Sequence, residues 1–417
     1  MAFHFVHASD LHLDTPFGGL RRFDERLGTV LRESTLRAFD RVCDLAIEYD
    51  ASFLLLAGDI YDGPERGLRA QRHLRDRLAD LGSQGIRTFI VQGNHDPLRD
   101  GYSAIGALPE YVKIFPPHRS EPERFVAKDG TPIEVQGVSY AEKAERDDLS
   151  RYFLRPEEGR FGVGVLHASV GNHTAHEPYS PTTVAQLSSY GFDYIALGHI
   201  HGFEVLQPFG PAIVYSGNTQ GLSPKPTERG IKGAVVVDVD DDLGLHIAHR
   251  PTSVVVFDLI ELDLTSASNQ NELRLALADH LEERDIPPEV EAQVVRVHAR
   301  IAPDLDLTSA QVDALVGDLN GVSWDHGRGR TFVESLEIER PPMKVVDLER
   351  ANVIYRALTE IAGSDAFLEE VKTLGSLDLR VDLADAAEDE RPPLSPREVA
   401  DASLSRIARA LEMTGED

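Results

Sequence analysis

Five times within the first 201 residues, a short apolar or β-branched run stops at a polar cluster of aspartate, asparagine or histidine. Phe3–Ala8 runs into Asp10-Leu11-His12, and Phe53–Ala57 into Gly58-Asp59. Arg87–Val91 leads to Gly93-Asn94-His95-Asp96, Gly162–Leu166 to His167, and Tyr194–Leu197 to Gly198-His199-Ile200-His201. Runs of this kind read as strands, and between them lie helical stretches, the pattern of an α/β sandwich. In open α/β sheets, ligand sites gather beyond the carboxyl ends of the strands. Segments spread over about 190 residues would therefore converge on one rim. Glycine at 58, 93 and 198 permits sharp turns and a close approach of backbone to ligand.

Further strands are expected at Ile133–Val138, Ala212–Tyr215 and Ala234–Val239. Thr29–Tyr49 places Leu31, Phe39, Val42, Ala46 and Tyr49 on one helical face, and a second helix covers Leu68–Leu81. Arg66, Arg69, Arg72 and Arg75 fit a solvated face better than a DNA track. The pattern changes after residue 250. Strands at Val254–Leu264, Gln293–Ile301 and Thr331–Glu339 alternate with helices at Asn269–Arg284 and Ser309–Leu319, and Pro341-Pro342 closes this small α/β unit. From Leu348 the chain reads as helical and acidic, with a break at Glu388–Pro393 and an amphipathic helix over Pro396–Met413. The expected division is 1–250, 251–340 and 341–417.

Composition narrows the function classes. Hydrophobic residues make up 41% of the 417, within the globular range. No apolar run approaches the roughly 18–20 residues of a membrane helix, and no secretory signal is read at the N-terminus. The single cysteine, Cys43, sits at helical spacing with apolar neighbours and reads as a packing residue. A lone cysteine suits a reducing compartment, so a cytoplasmic location is expected. The formal charge of −28 argues against a uniformly positive nucleic-acid coat, though a local basic groove or bound cations would still attract phosphate. The skew to 35 arginines over 7 lysines is one that a GC-rich or salt-adapted host would also produce.

The five clusters supply oxygen and imidazole donors with no thiolate. That set suits manganese, iron or zinc and disfavours a structural zinc–thiolate site. A carboxylate such as Asp59 can bridge two ions, and ions held ~3.5–4 Å apart can activate water and neutralise a phosphoryl oxygen during in-line attack. Each cluster alone also fits a cap, a turn or a satisfied buried histidine; the set of five, all at strand ends, does not.

The series Asp10-x-His12, Gly58-Asp59-x-x-Asp62, Gly93-Asn94-His95-Asp96, His167 and Gly198-His199-x-His201 resembles the calcineurin-like metallophosphoesterases. Within them it is similar to the DNA-repair exonuclease branch, the type of the SbcCD nuclease subunit and of YhaO. The narrower likeness rests on Phe5-Val6-His7-Ala8-Ser9-Asp10-Leu11-His12-Leu13-Asp14, on Tyr215-Ser216-Gly217-Asn218-Thr219-Gln220-Gly221, and on Glu228-Arg229-Gly230-Ile231-Lys232-Gly233. These motifs cover about residues 1–240, and the unit after 250 is similar in architecture only.

The resemblance implies one ion held by Asp10, His12, Asp59 and His201, and a second held by Asp59, Asn94, His167 and His199, with manganese the first candidate. His95 would donate to the phosphate or leaving oxygen, and Asp96 would orient it by a hydrogen bond. Some members have histidine where this chain has Asp62, which leaves open its part in the transition state. The implied activity is a two-metal DNA nuclease of DNA repair, a 3′-to-5′ exonuclease with some endonuclease action. The implied partners are DNA, an SMC-like coiled-coil ATPase docked on the C-terminal helices, and a second copy of the chain, with no membrane. Residues 251–340 would cap the DNA. One rival is a phosphoesterase acting on nucleotides, cyclic nucleotides or phosphoproteins. Another is a non-catalytic scaffold for DNA ends and the ATPase, whose mark would be missing ligands; none is missing.

Outside the five clusters the reading is more open. Lys225, Arg229 and Lys232 are locally basic beside the Gly217-Asn218 turn, and with Asn218 they either contact phosphates or form a solvated loop. His173 and His176 follow His167 without a partner pattern. Beyond Pro342 there are 17 acidic and 9 basic side chains, a net of −8, which makes that segment a poor grip for DNA. Its stripes Val353, Ile354, Leu358, Ile361 and Val399, Leu404, Ile407, Ala408, Leu411 fit either internal core or a partner's coiled coil.

Overall fold

The computed structural model describes residues 3–17, 25–63, 67–99, 108–171, 179–303, 305–325, 330–340 and 364. The expected helices beyond Leu348, together with Arg66, His173 and His176, lie outside them. In chain order the first elements are β1 (Phe3–Ala8), α1 (Glu25–Glu48), β2 (Phe53–Ala57), α2 (Leu68–Ser83), β3 (Arg87–Val91) and β4 (Val112–Ile114). They are followed by β5 (Glu123–Val126), β6 (Pro132–Val138), β7 (Phe161–His167), α3 (Val184–Ser188), β8 (Tyr194–Gly198), β9 (Glu204–Gln207) and β10 (Ala212–Tyr215). Then come β11 (Gly233–Val239), β12 (Leu245–Pro251), β13 (Val255–Leu264), α4 (Gln270–Glu282), β14 (Ala292–Ile301), α5 (Ser309–Asp325) and β15 (Thr331–Glu339).

The chain divides into two compact units. The first comprises Met1–Leu259, Asp285–Val295 and Arg330–Glu334, and the second Ile260–Arg284, Arg296–Gly329 and Ser335–Asp417. In the first unit two six-stranded sheets run β12-β11-β1-β2-β3-β4 and β5-β6-β7-β8-β10-β9. Strands β1 through β4 are parallel to their neighbours in one sheet, and β6, β7, β8 and β10 in the other. Antiparallel strands close the edges.

The sheets are buried on both faces, which explains the near-continuous apolar strands. Between them, Phe5, Phe53, Leu55 and Phe89 meet Val135, Phe161, Val163 and Tyr194. Phe5 stacks on Phe53 at 4.7 Å and meets the edge of Tyr194 at 5.0 Å. On the outer face of the first sheet, Val6, Leu54, Leu56 and Ile90 pack against Phe39, Val42 and Ala46 of α1 and Leu74 and Leu78 of α2. Cys43 is buried in that layer, and burial pushes its thiol pKa up. The second sheet is covered by Leu149, Phe153, Leu187 and Phe192. This is the α/β sandwich that the sequence implies.

Sequence reading passes over β4, β5, β9, β12 and α3. The four strands are half-exposed and lie at or beside sheet edges, so their periodicity is diluted by charged and polar residues such as those of Glu204–Gln207. Strands β13, β14 and β15 form a third sheet in that order. In the second unit, α4 begins at Asn269, whose side chain accepts from the amides of Asn271 and Glu272. No helix among the described residues is long and apolar enough to cross a membrane.

Candidate metal centre

Parallel pairing brings the carboxyl ends of β1, β2 and β3 to one edge, and those of β7 and β8 to one edge of the second sheet. The loops after β1 and β2 then travel together: the amides of Asp10, His12 and Leu13 donate to the carbonyls of Gly58, Asp59 and Ile60 at 3.0, 3.1 and 2.9 Å. The two sheets are tied at this rim. His167 Nδ1 lies 2.9 Å from Ala57 O, and the amide of His199 reaches both carboxylate oxygens of Asp10 at 3.2 and 3.1 Å.

Four of the seven expected ligands have left-handed backbone: Asp10 (φ 52°), His12 (42°), Asp59 (50°) and His199 (102°). Such conformations cost ~1–3 kcal/mol each and persist where the surroundings over-determine them. The three glycines serve these surroundings. A Cβ on Gly93 would stand 2.3 Å from Asp59 Oδ1, and one on Gly198 would stand 1.9 Å from Ala57 O. The close approach expected at these glycines is thus to the site's own side chains and backbone.

The donor atoms converge. One oxygen or ring nitrogen from each of Asp10, His12 and His201 lies within 4.8 Å of the others, as do donors from Asp10, Asp59 and His167. His12 Nε2 faces His201 Nε2 at 3.4 Å, and His201 Nε2 is 3.8 Å from Asp10 Oδ1. Asp59 Oδ2 lies 3.9 Å from His12 Nε2 and 3.4 Å from His167 Nε2, so it stands between the two groups. Asn94 Oδ1 is 3.1 Å from His167 Nε2. Hard oxygens and imidazole nitrogens, buried and mutually close, fit divalent cations. A third group joins His12, Asp62 and His95. Asp62 Oδ1 lies 3.1 Å from His12 Nδ1 and 3.5 Å from His95 Nδ1, and the Asp62 carbonyl is 3.2 Å from the latter.

Electrostatics follows from this crowding. Burial opposes charge on His12, but Asp62, Asp59 and Asp10 outweigh it and lift the imidazole to about 9. His167 is likewise lifted to about 9, burial being outweighed by Asp59 and Asp10. Asp59, also against burial, is held well below the usual carboxylate range by His167, His12 and His95. Cations that bind here take the place of these imidazolium protons. His7 sits outside the set. Burial drives it down to about 3, and its Nδ1 faces the Tyr194 hydroxyl at 3.0 Å.

Other expected residues fall in unexpected places. Asp96, expected to orient His95, is fully buried and accepts from the amides of Ile60 at 3.0 Å and Gly93 at 2.9 Å. It therefore ties the loop after β2 to the loop after β3, and the carboxylate beside His95 Nδ1 is that of Asp62. Asn218 and Lys232, expected at phosphates, are buried. Asn218 Nδ2 donates to Gln220 O and Glu228 Oε2, and Lys232 Nζ to the carbonyls of His201 and Thr227. Arg229 Nε donates to Pro224 O. Lys225 alone of the four lines the pocket at the site, about 470 Å³, with Asp59, Asn94, His95, Lys143, Tyr179, His199, His201, Thr227 and Glu228. Glu228, Lys143 and Tyr179 escape sequence reasoning; Glu228 begins the run Glu228-Arg229-Gly230-Ile231-Lys232-Gly233, in which the basic residues carry the more obvious signal.

The two-sheet sandwich thus places a donor set suited to divalent cations at its strand ends. Residues 3–203 match the calcineurin-like phosphoesterase family, which marks them as a calcineurin-like metallophosphoesterase domain. It is 34% identical to the uncharacterized metallophosphoesterase YhaO of Bacillus subtilis over 64% of this chain and 65% of the relative. It is 27% identical to the DNA double-strand break repair protein Mre11 of Thermoplasma acidophilum over 57% and 62%. With the Mre11 of Methanopyrus kandleri the figures are 23%, 80% and 71%. The match thus spans just under two thirds of the first two relatives.

Proposed function

We propose that this chain is a two-metal DNA nuclease, with 3′-to-5′ exonuclease action and some endonuclease action, that prefers manganese and works in the cytoplasm. The observation that carries the reading is the convergence of Asp10, His12, Asp59, Asn94, His167, His199 and His201 beside His95, at a pocket that also offers Lys143 and Lys225. Lys143 and Lys225 share the pocket with the carboxylates of Asp59 and Glu228, so the attraction for phosphate there would come from the lysines together with bound divalent ions. The similarity to proteins named for DNA double-strand break repair favours DNA over small esters.

When bound, divalent ions supply positive charge against phosphoryl oxygens and make water a better nucleophile. The chain's own residues do the rest. Asp62 accepts at His95 Nδ1 and leaves Nε2 of that pocket-lining ring for the phosphate or the leaving oxygen. Lys225 and Lys143 hold the backbone of the scissile strand. Residues 1–250 are the catalytic part in this proposal, 251–340 the cap over DNA, and 341–417 the dock for an SMC-like ATPase; a homodimer through the catalytic part completes the assembly.

The test is end-labelled linear duplex DNA beside a chromogenic phosphodiester, with manganese or with chelator. Release of labelled nucleotides with manganese alone is expected. Cleavage of only the small ester points to a nucleotide or phosphoprotein esterase, and DNA binding without cleavage of either points to a scaffold.

A further inference from the structure

We propose that Glu228 is the positioning residue of His201, fixing its proton on Nδ1 so that Nε2 is presented to a metal ion; this rests on the metal reading of the site. Glu228 is buried, and its side chain enters the site from a 3-10 turn at Pro226–Glu228, remote in sequence from every expected ligand. Oε1 bonds His201 Nδ1. Oε2 accepts from Asn218 Nδ2 at 2.8 Å and from the amide of Leu222 at 2.9 Å. A carboxylate is acceptor-only, so the His201 nitrogen facing it must carry the proton. The other nitrogen, Nε2, lies among Asp10 and His12.

The same segment also holds the backbone of His201. Its carbonyl takes Lys232 Nζ at 2.9 Å and the amide of Asn218 at 3.3 Å. Ring and backbone are thus fixed from one stretch of chain, which accounts for the burial of Asn218 and Lys232. Orienting a ligand histidine through its far nitrogen typically contributes 10–100-fold in metal affinity.

The amide of Glu228→Gln has a forced orientation, which makes the test sharp. Two donors, Asn218 Nδ2 and Leu222 N, demand its oxygen, so its NH₂ must face His201 Nδ1. The histidine proton then moves to Nε2, toward the metal. Manganese binding is measured by calorimetry and elemental analysis on the full-length wild type, on E228Q and on His201→Ala. The expected result is two ions on the wild type, and on E228Q a 10–100-fold loss at one ion only, the same ion that His201→Ala weakens. E228Q with both wild-type affinities overturns the proposal, and so does an equal fall at both ions with a lowered melting temperature, the signature of a plain structural brace. A wild type that takes up no ion overturns the metal reading and this inference with it. Should E228Q fail to fold, histidine-¹⁵N spectra of the metal-free wild type decide. A proton on His201 Nδ1 supports the assignment, and a bare Nδ1 with protonated Nε2 overturns it.

Discussion

Replacing Asp96 by alanine removes the tie between the loops that follow β2 and β3. Both amides that it accepts, those of Ile60 and Gly93, are buried, and no solvent reaches the carboxylate to replace it. A hydrogen bond to a charged group contributes ~1.5–3 kcal/mol, so the pair amounts to about 3–6 kcal/mol. That is a large part of the ~5–15 kcal/mol that holds a typical domain. Asp96→Asn keeps one acceptor and should cost roughly half as much, with the displaced NH₂ facing an amide donor. The assay is urea unfolding followed by circular dichroism, with metal content and DNA cleavage measured on the same samples. Asp96→Ala is expected to unfold at clearly lower urea and to bind metal more weakly, because Asp59 and Asn94 lie on the two untied loops. An alanine variant that unfolds at the wild-type urea concentration yet has no activity would refute this reasoning and return Asp96 to a role on His95.

Three further outcomes are expected. His95→Ala should abolish cleavage with metal content unchanged, whereas Asp59→Ala should lose metal and activity together, since Asp59 stands between the two donor groups; elemental analysis separates the two. Gly198→Ala should cost ~1–3 kcal/mol by overpacking and should lower metal content, because Ala57 O, the partner of His167 Nδ1, must move; Gly317→Ala, in open space within α5, is the control for metal content and should, if anything, stabilise. In metal-free protein, His12 and His167 are lifted from 6.5 to about 9 on folding, so their contribution is full below pH 6.5 and lost as pH rises through 9. The melting temperature should therefore fall across that window, and an unchanged value in Asp59→Asn and wild type alike would contradict it.

Much of the site is legible because its signal is local. A strand followed at once by Asp, Asn or His can be read from neighbouring residues, and parallel topology then brings five such ends together. The partners of the ligands are harder. Glu228 is 27 residues from His201, and nothing in the spacing of the two signals a contact. Lys232 reads as exposed because lysine is almost never buried without a partner. Its partners are backbone carbonyls, which the sequence marks at no particular position. The edge strands are missed for a different reason: their exposed sides carry the polar residues that keep an edge from pairing with another chain.

The frame of the centre is made by the sheets themselves. Backbone bonds between the loops after β1 and β2, the Asp96 tie, and the contact of His167 with Ala57 O hold the ligand-bearing segments. Glycines at 93 and 198 leave room for Asp59 and His167 that no other residue would leave. The left-handed backbone at Asp10, His12, Asp59 and His199 is unfavourable in an isolated chain and is imposed by a core buried on both faces of each sheet. This frame is built from the protein's own contacts, unlike that of the small zinc modules, which fold only around the ion. Affinity then depends on how well each donor is aimed, and in the assignment proposed above Glu228 aims His201.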